Sequence, residues 1–230
     1  MSALAQKRAV GEAAARLVEA GSTVGLGTGT TAAWFVSALA ARRLAVRAVA
    51  TSEATAALAR SLGMEVVDLD EAGAIDLTVD GADEVGPGLA LIKGAGAALL
   101  REKLVWRASR RCVVIADESK RVEKLGKSPL PVEVVAFGHL STAARIDGAV
   151  KARGIAATAT LRSVAGEPVR TDGGNVIYDL SCGSIDDPDA LASALKAITG
   201  VVEHGLFLGL AAEALIGTSG GVVVLHPGEG

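Results

Sequence analysis

Thr23-Val24-Gly25-Leu26-Gly27-Thr28-Gly29-Thr30-Thr31-Ala32 joins a short apolar run to a glycine turn and then to an uncharged helical segment reaching Arg42. This is strand, turn, helix. Outward from it the pattern recurs: Ala45 to Ala50 reads as a strand, Glu53 to Leu62 as a helix closed by Gly63, and Glu65 to Asp68 as another strand. Upstream, residues 4 to 20 carry Leu4, Ala14, Leu17 and Val18 at helical spacing and stop at Gly21. Downstream, Ile75 to Val79 and Leu89 to Ile92 are strands flanking a Gly/Asp/Pro turn, Ala95 to Arg107 is a helix, and Cys112 to Ala116 a strand. Such alternation predicts a mostly parallel sheet with helices on both faces.

After Lys124 the breakers Gly126, Pro129 and Pro131 mark a linker. Strand Val132 to Val135, helix Leu140 to Arg153, strands Ile155 to Leu161 and Asn175 to Leu180, helix Pro188 to Ile198 and strand Val201 to Glu203 then give a split βαβ, ferredoxin-like α+β order. The tail, with a helix expected near Leu210 to Leu215 and a strand from Val222 to Leu225, resumes the first pattern. The expected fold is therefore α/β, a Rossmann-like doubly wound sheet formed by 1–125 plus 204–230, with residues 126–203 inserted.

The 230 residues are 50% hydrophobic yet only 3% aromatic, so the core is built from Ala, Val, Leu and Ile around 28 glycines. A net charge of −3 and few aromatics give neither a basic field nor stacking platforms for nucleic acid. Cys112 and Cys182 lie far apart with no CxxC or Cys/His cluster, so no disulfide framework or structural zinc is indicated and a reducing cytoplasm is expected. Ala20 to Ala41 is uncharged, but its Gly, Ser and Thr are too polar and turn-prone for a spanning helix. The charges from Lys7 to Glu19 exclude a secretory leader.

Three segments carry candidate chemistry. In Gly27 to Thr31 the glycines let backbone N–H groups converge on an anion, the following helix adds the positive end of its dipole, and three threonines add hydroxyls. Without GxxxxGK[ST] or GxGxxG, neither ATP nor NAD follows, and a small phosphate fits better. A capped turn with no ligand would use the same residues. Val79-Asp80-Gly81-Ala82-Asp83-Glu84 places three carboxylates at a strand's C-terminal end, where ligands gather in parallel sheets. They suit proton transfer, a divalent metal or a plain acidic turn. Ile92-Lys93-Gly94-Ala95-Gly96 ends another strand, so the Lys93 ammonium reaches the same edge. Glu102, between Ala98 and Trp106 on a helix, sits in a partly apolar sector that raises a carboxyl toward a general base's working range. Glutamates on helices are ordinarily surface residues. Lys120 can reach the edge too, whereas Thr171-Asp172-Gly173-Gly174-Asn175 reads as a structural hairpin turn.

In order, the glycine–hydroxyl loop, Asp80-Gly81-Ala82-Asp83-Glu84, Lys93-Gly94-Ala95-Gly96 with Arg101-Glu102-Lys103, and Ala116-Asp117-Glu118-Ser119-Lys120 resemble the type A ribose-5-phosphate isomerases. The likeness continues through Leu130-Pro131-Val132-Glu133-Val134, Thr171-Asp172, Gly174-Asn175 with Asp179, Gly200-Val201-Val202, Gly205-Leu206-Phe207 and Ala214-Leu215-Ile216-Gly217-Thr218, nearly the whole chain. Ala95 and Thr30 stand where the family usually has Gly and Ser, and Gly173 where it usually has Asn.

The resemblance implies interconversion of D-ribose 5-phosphate and D-ribulose 5-phosphate through an enediolate, without metal or organic cofactor. It implies Glu102 as the base, with Lys93 and the backbone of Gly94, Ala95 and Gly96 stabilising the oxyanion. Asp80 and Asp83 would bind sugar hydroxyls beside Gly81 and Ala82, Asp80 assisting ring opening. Thr28, Gly29, Thr30 and Thr31, with Lys7 and Lys120, would hold the phosphate, and the chain would form a homodimer or larger. Two rivals are an amino-sugar phosphate isomerase/deaminase, for which no histidine stands near the cluster, and a non-catalytic sugar-phosphate sensor, which would dispense with the base.

Overall fold

The computed structural model describes residues 1–228. The chain opens with α1 (Ala3–Ala15), β1 (Thr23–Leu26), α2 (Thr30–Ala41), β2 (Arg47–Ala50), α3 (Glu53–Ser61), β3 (Glu65–Val66), α4 (Leu69–Ala72) and β4 (Leu77–Gly81). It continues with β5 (Glu84–Val85), β6 (Leu91–Ile92), α5 (Leu99–Arg107) and β7 (Cys112–Asp117). Then come β8 (Leu130–Val134), α6 (His139–Lys151), β9 (Ala159–Leu161), β10 (Ser163–Val164), β11 (Glu167–Pro168), β12 (Val176–Leu180), α7 (Pro188–Lys196) and β13 (Val201–His204). The tail supplies β14 (Leu206–Phe207), β15 (Glu213–Thr218) and β16 (Gly221–Leu225).

Seven strands form one sheet in the order β16-β15-β7-β4-β1-β2-β3, parallel except for β16, which returns antiparallel to β15. Every residue of β1 and β7 is buried, as parallel strands covered on both faces require. Val10 and Ala14 of α1 and Phe35, Val36 and Leu39 of α2 pack on Val24, Leu26, Val79 and Ile115. The chain order reverses direction on either side of β1, so the crevice for ligands lies beyond the C-terminal ends of β1 and β4.

A second sheet, β13-β8-β12-β9, is antiparallel throughout and is packed through Leu130, Val132 and Val134 on Ile146 of α6 and Leu191 and Leu195 of α7. This is the ferredoxin-like order. The antiparallel trio β14-β6-β5 ties the two sheets together at Gly205, whose carbonyl accepts from Lys93 N at 2.9 Å and whose N–H donates to Pro131 O at 2.8 Å.

Four expectations change. The segment near Leu210 to Leu215 is not helical: Glu213–Thr218 is strand β15, enclosed between β7 and β16, and a short apolar run such as Ala214 to Ile216 has no period that separates buried strand from buried helix. The helix expected from Ala95 begins at Leu99, because Gly94 (φ 111°) and Ala97 (φ 56°) leave helical backbone. The first helix ends at Ala15, and Leu4 is exposed on its outer face. The strand expected from Ile155 covers only Ala159–Leu161, and the β10-β11 hairpin follows it. Among the described residues, no helix is long and apolar enough to cross a membrane.

Candidate active site

β1, β4 and β6 each end at the same edge, so the loops after them meet. Gly27 opens the first loop at a place where a Cβ would lie 2.2 Å from Asp80 Oδ1. Only glycine lets the Asp80 carboxylate come this close, where Oδ1 accepts from Thr28 N at 3.1 Å and from Gly81 N at 2.7 Å. Lys93 follows β6 and inserts its ammonium under the edge, donating to Gly81 O and lying 3.0 Å from Asp80 Oδ2 and 3.4 Å from Glu102 Oε2. Asp80, Lys93 and Glu102 are all buried. Asp80 Oδ2 and Glu102 Oε2 carry no hydrogen bond, so the single cation faces two carboxylate oxygens that nothing else satisfies.

Electrostatics follow from that count. Burial raises Glu102 to about 8; Lys93 opposes the rise, and Asp80 and Asp83 add to it. Asp80 is likewise pushed up by burial against the pull of Lys93. Burial alone would depress Lys93, but Asp80 and Glu102 outweigh it and hold the ammonium above its usual value. The arrangement is a fixed cation beside a carboxyl that exchanges its proton near neutrality.

Opposite, Thr30 and Thr31 begin α2, whose first turn has no acidic residue. Lys7 Nζ comes from α1 to within 3.2 Å of Thr30 Oγ1. Asp83 Oδ2 accepts from Ala95 N at 2.9 Å, fixing the loop that follows Lys93. A pocket of about 280 Å3 lies between, lined by Lys7, Thr28, Gly29, Thr30, Thr31, Gly81, Ala82, Asp83, Lys93, Gly94, Ala95, Gly96, Glu102 and Lys120. Fourteen of the fifteen residues singled out from sequence thus share one cavity. The fifteenth, Asp80, lies fully buried behind that lining and reaches the pocket through Lys93 and the Thr28 amide.

A family model described as ribose 5-phosphate isomerase A (phosphoriboisomerase A) matches residues 47–221. The chain belongs to this family. Ribose-5-phosphate isomerase A of Caulobacter sp. strain K31 is 64% identical over 227 residues, covering 99% of this chain and all of that one. Among solved structures, ribose 5-phosphate isomerase A from Neisseria gonorrhoeae is 36% identical with a TM-score of 0.90, covering 98% of both chains. Ribose 5-phosphate isomerase from Plasmodium falciparum is 34% identical with a TM-score of 0.91, covering 97% of this chain and 98% of that one.

Within this family member several placements differ from a reading of the chain alone. Glu84, third of the clustered carboxylates, turns away and accepts from Gly126 N and Ser128 N. The acidic stretch therefore diverges, and no group of three His, Cys, Asp or Glu among the described residues is arranged to hold a metal ion. Thr28 Oγ1 is engaged by the hydroxyls of Thr51, Ser52 and Thr55 at 2.7, 2.9 and 3.1 Å. These three, at the end of β2 and the start of α3, went unremarked in the sequence, although the strand-end rule that found Thr28 applies to them equally. The Thr171 to Asn175 turn does more than close a hairpin: Asp172 Oδ2 accepts from Glu53 N at 2.9 Å and lies 3.6 Å from Arg101 Nη1. Nothing local marks Arg162 either, which pairs with Asp179 and donates to Gly94 O at 2.9 Å, 68 residues away in the chain.

Proposed function

We propose that the protein interconverts D-ribose 5-phosphate and D-ribulose 5-phosphate in the non-oxidative pentose phosphate pathway, with Glu102 as the base. The observation that carries this is a buried carboxyl, raised to about 8, at one end of a pocket whose other end is a helix N-terminus with lysines beside it. The phosphate sits on the Thr30 and Thr31 end of α2 with Lys7 and Lys120, where N–H groups and the helix dipole favour an anion. That anchorage sets the open-chain sugar toward Asp83, Lys93 and Glu102. Glu102 removes the C2 proton of the aldose as charge develops on O1, the hydroxyl proton of O2 passes to O1 in the enediolate, and Glu102 returns its proton to C1. Lys93 and the Gly94 to Gly96 backbone stabilise that oxyanion, worth on the order of 3 kcal/mol per well-placed donor. Asp83 binds sugar hydroxyls, and Asp80, from behind the lining, orients Lys93 for ring opening and enolisation.

All of these groups belong to the chain, so a chelator leaves the rate unchanged on this reading. Inactivation reversed by a divalent ion would contradict it. The same reading makes the protein a cytoplasmic homodimer or larger assembly, with residues 1–125 plus 204–230 as the catalytic unit and 126–203 as an inserted one. Free Cys112 and Cys182, one buried and one half-buried, suit a reducing compartment.

The test is a direct isomerisation assay with ribose 5-phosphate alongside a thermal-shift titration of the same ligand. Turnover with stabilisation is expected. Stabilisation without turnover would favour the sensor reading instead.

A further inference from the structure

Arg162 lies between β9 and β10, in the stretch from β8 to β13 that contributes no residue to the pocket lining. Its backbone is fixed on both sides: its N–H donates to Ile177 O at 2.8 Å and its carbonyl accepts from Val169 N at 2.9 Å. The guanidinium then spans the gap between the two sheets. Nε donates to Asp179 Oδ2 at 2.8 Å and Nη2 to Asp179 Oδ1, a bidentate pair that sets the plane of the fork. The remaining nitrogen, Nη1, donates to Gly94 O at 2.9 Å and to Ala95 O at 3.0 Å.

Those two carbonyls belong to the loop beside Lys93. The first is conjugated to the Ala95 N–H, which donates to Asp83, and the second to the Gly96 N–H, on the pocket wall. A cation on a peptide carbonyl polarises that peptide and strengthens its N–H as a donor. The chain Asp179, Arg162, peptide 94–95, Asp83 therefore clamps the loop from both sides, in backbone that Gly94 and Ala97 hold at positive φ. The segment lies between β6 and α5, and Gly94 O also accepts from Ala97 N at 3.0 Å.

We infer that Arg162 is a positioning residue for the reaction, holding the Gly94-Ala95-Gly96 backbone where it meets the substrate's developing oxyanion. This rests on the isomerase reading above. It also gives the second sheet a part in the chemistry without any contact to the sugar.

The experiment compares kcat, KM and melting temperature of the full chain with Arg162→Ala, Arg162→Lys and Asp179→Asn, with and without sub-denaturing guanidinium. Arg162→Ala is expected to lower kcat roughly 10- to 100-fold, with KM within about threefold of the parent, as for a lost alignment rather than lost binding. Added guanidinium should recover part of that loss, which a merely structural tie would not allow. Arg162→Lys, whose single ammonium cannot engage Asp179 bidentately and two carbonyls together, should fall at an unchanged melting temperature. It carries the test if the alanine variant does not fold. Parent-like kcat in Arg162→Lys, or a kcat loss that guanidinium never restores and that tracks loss of folded protein, overturns the inference. An inert parent chain would instead sink the isomerase reading itself.

Discussion

At the scale of single residues, the site depends on one buried ammonium serving two buried carboxyls. Because Glu102 must be ionised to act, kcat/KM is expected to rise with pH and level off above about 8, read from a pH–rate profile. Stability runs the other way. Between the ordinary glutamate value of 4.5 and about 8, the folded chain keeps a proton on Glu102 that the unfolded chain has released. Folding therefore loses free energy as pH rises through that window. Glu102→Gln removes this loss, so its melting temperature relative to the parent should climb from pH 5 to pH 8; a flat difference would contradict the assignment. Gly27→Ala would drive a methyl into the Asp80 carboxylate and should cost about 1–3 kcal/mol in denaturant unfolding together with most of the activity. Asp80 and Lys93 were legible in sequence because each stands at the end of a strand, and Thr28, Thr30 and Thr31 because they fall in the glycine turn between a strand and a helix. Glu102 was legible through Ala98 and Trp106, both of which are buried around it. Thr51 and Ser52 follow a strand in the same way, but their meeting with Thr28 was not legible, since residues spread from 28 to 55 come together only after two strands have paired.

At the scale of elements, α5 carries Glu102 and is pinned by the next residue. Lys103 Nζ donates to Glu203 Oε1 at 2.9 Å, His204 O at 2.7 Å and Leu206 O at 2.9 Å, joining the helix to the β13–β14 connection. Burial pulls Lys103 down to about 8 despite Glu203. Burial would raise Glu203, but hydrogen bonds and charge from Lys103 hold it at about 2. A carboxyl depressed in the folded state contributes stability above its unfolded value, and that contribution is lost as pH falls from 4.5 toward about 2. Lys103→Met leaves the Glu203 carboxylate without this partner, and a loss of about 3 kcal/mol is expected in urea unfolding. An unchanged midpoint would show that the contact is idle. Element order was largely readable because glycine turns and polar caps punctuate the first half: Gly63 follows α3 and Ser52 caps it through Thr55 N. β15 was not, because its enclosure by β7 and β16 is a tertiary fact.

At the scale of the whole molecule, the chain's last segment completes the sheet that its first segment begins. β15 buries Ala214, Leu215 and Ile216 against β7 and its neighbours. A chain ending at Ala212 would leave β7 as a bare edge and should show no cooperative unfolding transition by circular dichroism. The split of sheets was legible from the breakers after Lys124, but the clamp from Arg162 to Gly94 was not, since its partners are separated by 68 residues and by a change of sheet. All three scales converge on the proton carried by one side chain. The most direct measurement is kcat for ribose 5-phosphate in Glu102→Gln beside its dissociation constant for the same sugar phosphate. A fall of roughly 100-fold or more with affinity nearly unchanged is predicted; turnover close to the parent's would contradict the role given to Glu102.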